Sequence, residues 1–203
     1  LLPGGYVGVD VFFVISGFLI TGIIAREIDE QRFSLIAFYE RRARRILPAL
    51  FAMMAVVLVA GSVLYLPGDF AGLPPSALAT LLFVSNVWFF SQTSYFAADA
   101  ETLPLLHCWS LAVEEQFYIG FPLLLWLIAR YAPGRRVAGI AGVALVSFAW
   151  AVWKQGDADG FAFFMLPPRA WELFAGALLA VGAAPQVRTG AWREALALTG
   201  LAL

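Results

Sequence analysis

"LLHCWSLAVEEQFYIGFPLLLW", residues 105–126, places the only histidine, His107, and two adjacent glutamates, Glu114 and Glu115, at the head of an oily run. The thirteen residues from Phe117 to Ala129 carry no charge. As a helix, Leu105–Ala129 would measure about 37 Å, longer than the roughly 30 Å hydrocarbon core of a bilayer. The whole chain repeats this character: 62% of its residues are hydrophobic, 13% are charged, and its mean hydropathy is +0.82. A soluble domain carries roughly 25% charge. This chain has too little polar surface to cover a globule in water. The fold class that follows is all-α, a polytopic transmembrane helical bundle.

Five full spans are predicted, Tyr6–Ala25, Ile46–Leu66, Leu105–Ala129, Val137–Trp153 and Phe161–Ala184, with a truncated one from Ala195. A further apolar run, Ala77–Phe90, reaches only about 21 Å as a helix. No repeat or low-complexity linker interrupts the chain, so residues 1–203 are read as a single domain. The first apolar run starts almost at residue 1 without Met or a basic leader, and "ALALTGLAL" ends inside another. The expectation is a stretch of a longer protein, incomplete at both ends.

Arginine sets the expected orientation. The net charge of -1 is uninformative, but six of the thirteen basic residues (Arg26, Arg32, Arg41, Arg42, Arg44 and Arg45) fall between residues 26 and 45. That loop should be cytoplasmic. If Ala77–Phe90 re-enters instead of crossing, Arg130–Arg136 and Arg188–Arg193 face the same side. Short length and charge bias both point to re-entrance. The lone Cys108 excludes a disulfide within this stretch and any multi-cysteine metal site.

"FSLIAFYERRARRILPAL", residues 33–50, reads as an interfacial helix feeding a membrane helix. Ser34 is the expected N-cap, Phe33 and Phe38 a hydrophobic staple, and Pro48 the first turn of the next helix. Arg41, Arg44 and Arg45 would share a face. They suit either anionic lipid head groups or the phosphates of a cytoplasmic donor, since guanidinium forks match phosphate geometry.

On a helix, His107, Ser110, Glu114 and Tyr118 lie on one side and Glu115 about 100° away. The plain reading puts both glutamates at the outer helix end, favoured by the dipole and by water. Two adjacent carboxylates at a low-dielectric edge repel each other, however, and need a cation or a proton to share the site. Ionisable groups in spans are functional candidates. Asp10 near the start of the first span, and Arg169 with Glu172 after the helix-breaking Pro167–Pro168, are the others. These charges are expected to converge on one polar cavity opening outward. A group-transfer enzyme and a proton-coupled transporter fit them equally well; a scaffold would need none of them.

Four motifs carry a resemblance beyond this. "GGYVGVDVFFVISGFLIT", "FYERRARRILPAL", "LLHCWSLAVEEQFY" and "LPPRAWELFAGALLA" resemble, in this order, the acyltransferase-3 family of membrane O-acyltransferases, which acylate lipopolysaccharide O-antigen, peptidoglycan and other exported glycans. The resemblance implies a bacterial inner-membrane enzyme of roughly ten spans. It would move an acyl group, acetyl for instance, from cytoplasmic acyl-CoA to a glycan hydroxyl, with the lipid bilayer as its surroundings and neither metal nor nucleic acid involved. The family's Arg-x-x-Arg motif maps onto Arg41/Arg44 and Arg42/Arg45, favouring the donor phosphates. The other motifs map onto Trp109, Ser110, Leu111, Glu114, Glu115, Gln116, Phe117 and Tyr118, and onto Pro167, Arg169, Trp171 and Glu172.

The family's essential histidine precedes the Gly-Gly-x-x-Gly-Val-Asp motif, upstream of this stretch, so that role is not carried onto His107 and the stretch alone is expected to be inactive. The implied catalytic set is Glu114, Glu115, Arg169, Glu172 and Asp10. Glu114 or Glu115 would orient the base or the acceptor, and Arg169 or backbone amides would stabilise the developing oxyanion. His107, Trp109, Ser110, Tyr118 and Trp171 would contact substrate.

Overall fold

The computed structural model describes residues 7–92, 103–132, 134–156, 160–183 and 194. The expected span from Ala195, the cluster Arg188–Arg193, and the ends at Tyr6 and Ala184 lie outside them. All regular structure among the described residues is helical. Four helices are long and apolar enough to cross a membrane: α1 (Val7–Asp29), α2 (Leu35–Leu64), α6 (Cys108–Tyr131) and α7 (Arg136–Lys154). Between and after them lie α3 (Pro67–Phe70), α4 (Leu73–Leu81), α5 (Ser85–Gln92), α8 (Phe161–Phe164) and α9 (Leu166–Ala180). Val11, Ile15, Phe18, Val56, Val59 and Val63 point their large side chains outward. In water that surface would be untenable; against lipid tails it is the expected one.

α2 begins as the sequence predicts. Ser34 is the N-cap, its hydroxyl accepting from the Ala37 amide at 3.4 Å. Phe38 is buried and Phe33 packs against the same core, which is the staple. The expected break before the span is absent. Pro48 lies inside a single 30-residue helix, not in the first turn of a second one. One missing backbone bond is tolerable in an otherwise continuous apolar ladder. The arginine segment is therefore the first two turns and more of the span itself.

Arg136 at the start of α7 bonds Asp29 at the end of α1 at 2.7 Å. The loop ends between α1 and α2 and between α6 and α7 thus share one side, here the arginine side. α2 leaves that side and α6 returns to it, so residues 65–107 begin and end on the opposite side. Between them α4 descends, the chain turns at Leu82–Val84, and α5 climbs back. The run Ala77–Phe90 is two short helices joined by a turn, not one continuous helix.

A turn at membrane depth exposes backbone groups, which must be satisfied by protein. Gln116 on α6 donates to the Phe83 carbonyl and to Asn86 Oδ1, both at 2.8 Å. Asn86 donates to the Phe164 carbonyl at 3.1 Å, and Ser85 to the Cys108 carbonyl at 2.9 Å. The end of α4 closes on itself as well: Val84 N–H bonds the Ala79 carbonyl and Phe83 N–H the Thr80 carbonyl, with Phe83 at φ +54°. This is the Schellman pattern, whose left-handed position usually holds glycine.

The predicted span Phe161–Ala184 is the one that fails as a continuous helix. It divides at Met165 into α8 and α9, and α9 rises only about 22 Å. Pro167 and Pro168 fall in the first turn of α9, where their missing N–H groups cost least. One turn later, Ser147 of α7 donates to the Pro167 carbonyl at 2.6 Å and accepts from the Trp171 amide at 2.8 Å. Its hydroxyl bridges the two groups that a straight α-helix would pair.

α9 packs chiefly on α1 and α7, and it runs parallel to α1 at backbone contact. A Cβ on Gly17 would overlap the Leu173 carbonyl, and one on Gly176 would overlap Val14 and Phe18 backbone. Small residues at that seam replace the hydrophobic drive that lipid removes, because they let dispersion contacts form along the whole length. The seam fixes the register in which charges on α1 and α9 meet.

Candidate functional site

The polar groups of the core lie in two layers along α1 and α6. In the inner layer Arg42 of α2 reaches Glu115 Oε1 with two nitrogens, at 2.9 and 3.2 Å, and Glu114 at 3.6 Å. Its guanidinium stacks 3.8 Å from the centre of the Tyr118 ring. Tyr118 donates to Glu114 Oε1 at 2.6 Å, and Ser16 of α1 contacts both Glu114 and the Tyr118 hydroxyl. Glu114 and Glu115 are each 6% exposed. Ser16 sits about 14 Å from the start of α1 and about 20 Å from its end, so this layer lies well inside the bilayer. A guanidinium is the cation suited to such a place. Its planar fork serves two carboxylates at once and its face stacks on an aromatic ring.

Three cavities meet at Arg42. One of about 260 Å3 is lined by Ser16, Glu114, Tyr118, Arg42 and Arg45 among apolar groups from α1, α2 and α6. A second of about 190 Å3, bounded by Phe38, Arg41, Arg42 and Arg45, shares Ile20 and Ile23 with the first. A third of about 170 Å3 is lined by Glu115, Tyr39, Ile119 and Phe83 of the turn between α4 and α5. The basic mouth and the buried carboxylates therefore border common space.

The four arginines differ in what they have left to offer. Arg41 bonds Glu27 at 2.8 Å, Arg44 bonds Glu40 at 2.6 Å, and Arg42 is committed to Glu114 and Glu115. Arg45 makes no ion pair with a described residue. Arg41, Arg44 and Arg45 lie within about 100° of one another on α2, but Arg41, Arg42 and Arg45 border one cavity while Arg44 pairs with Glu40 four residues back.

The outer layer contains Asp10, Arg169 and Glu172. Arg169 bonds Asp10, and Glu172 at 3.0 Å. Phe13, Trp109 and Phe163 surround the guanidinium, with ring centres 5.3 to 5.6 Å away. The Nε–H of Arg169 is buried without a partner among the described residues, and the Asp10 side chain is 42% exposed. A spare buried donor next to a half-open carboxylate is an uncommon arrangement in a folded core.

The expected single cavity is thus two layers. Asp10 precedes Ser16 by six residues on α1, about 9 Å of rise. None of the three cavities around Arg42 is lined by Asp10, Arg169 or Glu172. Glu114 and Glu115 do not sit at a wetted helix end, since Arg42 draws them into the interior. Exposed His107 lies at the N-cap of α6, with Cys108 Sγ 3.5 Å from its ring, and Ser110 donates to its carbonyl at 3.1 Å. Neither reaches the carboxylates: His107 stands about 10 Å up the helix from Glu114. Trp171 packs edge-on against Phe148 of α7, away from both layers. Trp109 is in the outer layer and Tyr118 in the inner one. Sequence reading missed Ser16, Tyr39, Phe83 and Ser147. A serine or tyrosine in an apolar helix gives no signal until its neighbour across the bundle is known.

These features define a class, a polytopic membrane protein whose ion-paired interior communicates with a basic mouth. A family model described as an acyltransferase domain matches residues 3–203. The chain belongs to that family, the acyltransferase-3 family of membrane proteins. It is 36% identical over 183 residues to the peptidoglycan O-acetyltransferase OatA of Listeria monocytogenes, covering 87% of this chain and 29% of that protein. It is 35% identical over 184 residues to the O-acetyltransferase OatA of Staphylococcus aureus, covering 88% and 30%. An uncharacterized protein of Haemophilus influenzae is 44% identical over 139 residues, covering 68% of this chain and 56% of its own. The chain thus spans under a third of the two OatA proteins. No solved structure matches it.

Proposed function

We propose that this chain forms the membrane-embedded core of an O-acyltransferase. It takes an acyl group from acyl-CoA on the arginine side, which is cytoplasmic, and esterifies a glycan hydroxyl presented from the opposite side, in the inner membrane of a bacterium. The observation that carries this reading is the cavity shared by Arg45 and Glu114: a cation with no ion pair among the described residues and a buried carboxylate hydrogen-bonded by Ser16 and Tyr118. Family membership supplies the reaction type, and the named OatA relatives support acetyl as the acyl group and an envelope glycan as acceptor.

The chemistry is a thioester-to-ester exchange. The hydroxyl oxygen forms a C–O bond to the acyl carbon, the C–S bond breaks, and the hydroxyl proton ends on the departing sulfur. Arg45 anchors the donor's phosphates by charge-assisted hydrogen bonds. Arg42 cannot do so without abandoning two carboxylates, and its role is to hold Glu114 and Glu115 in place. Glu114, fixed by Ser16, Tyr118 and Arg42, orients the proton acceptor of the hydroxyl. In the outer layer the Nε–H of Arg169, which has no partner among the described residues, is a donor left for the glycan acceptor. Asp10, half open to the opposite side, accepts from the glycan.

A direct test gives labelled acetyl-CoA to vesicles carrying the full-length protein and measures alkali-labile acetyl in the glycan fraction. Label in wild type that disappears in E114Q at equal folded protein supports the reading. Movement of a solute across the vesicle with no acylated glycan would replace it with the transporter reading.

A further inference from the structure

Ser147 is a buried hydroxyl on a helix whose Val143, Leu145, Val146 and Phe148 are exposed. A serine in a membrane helix can satisfy its hydroxyl at home, on a carbonyl three or four residues back. Ser62, Ser76, Ser91 and Ser110 do so, each on the carbonyl three residues before it. Ser147 instead reaches across to α9, donating to the Pro167 carbonyl at 2.6 Å and accepting from the Trp171 amide at 2.8 Å. Those two groups pair with each other in a straight α-helix, so neither needs the hydroxyl for its hydrogen bond. A side chain set at that ladder governs the local path of the helix instead.

Arg169 lies midway between the two residues that Ser147 holds. This first turn of α9 follows the break at Met165, where no side chain caps it. The α1 seam engages α9 at Leu173 and Gly176, beyond Arg169. On the α7 side the Trp171 ring also packs edge-on against Phe148. α7 therefore fixes the backbone that carries Arg169, and α1 supplies the Asp10 that meets it. One nitrogen of Arg169 bonds both Asp10 and Glu172, and its Nε–H has no partner among the described residues. Where that N–H points depends on where the turn is held.

We propose that Ser147 is a positioning residue for the acceptor: its hydroxyl sets the turn that aims Arg169, and so the Nε–H offered to the glycan. The proposal rests on the acyl-transfer reading above and adds to it a residue that touches no substrate and takes part in no bond of the exchange.

The test uses vesicles carrying the full-length protein, with labelled acetyl-CoA as donor and ester-linked label in the glycan fraction scored at equal folded protein. S147A lets Pro167 and Trp171 pair directly, so folded protein should stay near wild type. Its glycan KM should rise about threefold to fivefold, less than loss of a whole charge-assisted bond, while the donor KM holds. S147T keeps the hydroxyl and should restore the wild-type constant. The sharpest comparison is with R169M: once the donor is gone its aim is irrelevant, so adding S147A should leave the glycan KM of R169M unchanged. Multiplied effects in the double variant, a wild-type glycan KM in S147A, or a shift in donor KM instead would overturn the positioning role and leave acyl transfer standing. If S147A fails to accumulate, S147C decides: its weak thiol donor should give a smaller rise in the same constant, and an unchanged glycan KM would overturn the role. No label in wild type would overturn the proposed function beneath it.

Discussion

The two polar layers have the same inventory, one arginine, two carboxylates and aromatic rings, yet they differ in what remains unspent. In the inner layer the guanidinium of Arg42 bonds Glu115 twice, approaches Glu114 and lies on Tyr118. Its surroundings are cavities that lead to Arg45. In the outer layer Arg169 is wrapped by Phe13, Trp109 and Phe163 but keeps one N–H unused, and Asp10 opens to the opposite side. Charge in a membrane helix therefore does not by itself mark a site. The useful distinction is between a cation that shapes space and a donor that has capacity left.

The largest effect should come from the inner layer. R42A leaves Glu114 and Glu115 buried without their cation, which costs about 3–5 kcal/mol in comparable pairs. Acyl transfer should fall more than about a hundredfold, with a lowered melting temperature in detergent. R42K should recover only part, because an ammonium cannot fork between two carboxylates. Equal activity in R42K and wild type would show that the bidentate geometry is irrelevant.

Next in size is a break in the seam that aligns the layers. G176L drives a side chain into the backbone of Val14 and Phe18, so α1 and α9 must separate. Folded protein should drop severalfold, and the Asp10–Arg169 pair should go with it. The control is G22A, whose added Cβ meets nothing within 4 Å and should leave yield and activity unchanged.

The outer layer is sharpened by R169M. It removes the spare donor and with it the cation that pairs Asp10 and buried Glu172, so activity is compared at equal folded protein. The expected effect per folded protein is a glycan KM raised about tenfold with donor KM unchanged, the scale of one charge-assisted hydrogen bond. A change in donor KM instead would move Arg169 to the donor site. Smallest is Y118F, which deletes one hydrogen bond to Glu114 and should cost about 1 kcal/mol, roughly fivefold in rate.

The sequence carried the helical class, because hydropathy is a local quantity. It also carried the cap at Ser34 and the weakness at Pro167–Pro168. It did not show that Pro48 leaves α2 intact or that α9 falls short of a span, since both depend on whether neighbours satisfy the freed backbone. Ser147 does so for α9. The charged residues were visible one by one, but their partners were not. Arg42 was read with Arg45 as one basic cluster, and only packing separates a guanidinium turned inward from one with no ion pair among the described residues. Ser16 and Phe83 carried no signal, because their significance lies entirely in what faces them.

The central claim is that donor and acceptor are served by different layers, and one paired kinetic measurement tests it. Donor and glycan KM are measured for R45A and D10N in vesicles carrying the full-length protein. R45A should raise the donor KM about tenfold, as loss of one charge-assisted contact does, and leave the glycan KM alone. D10N should raise the glycan KM and leave the donor KM alone. If both variants shift the same constant, the two layers are one site and the division drawn here is wrong.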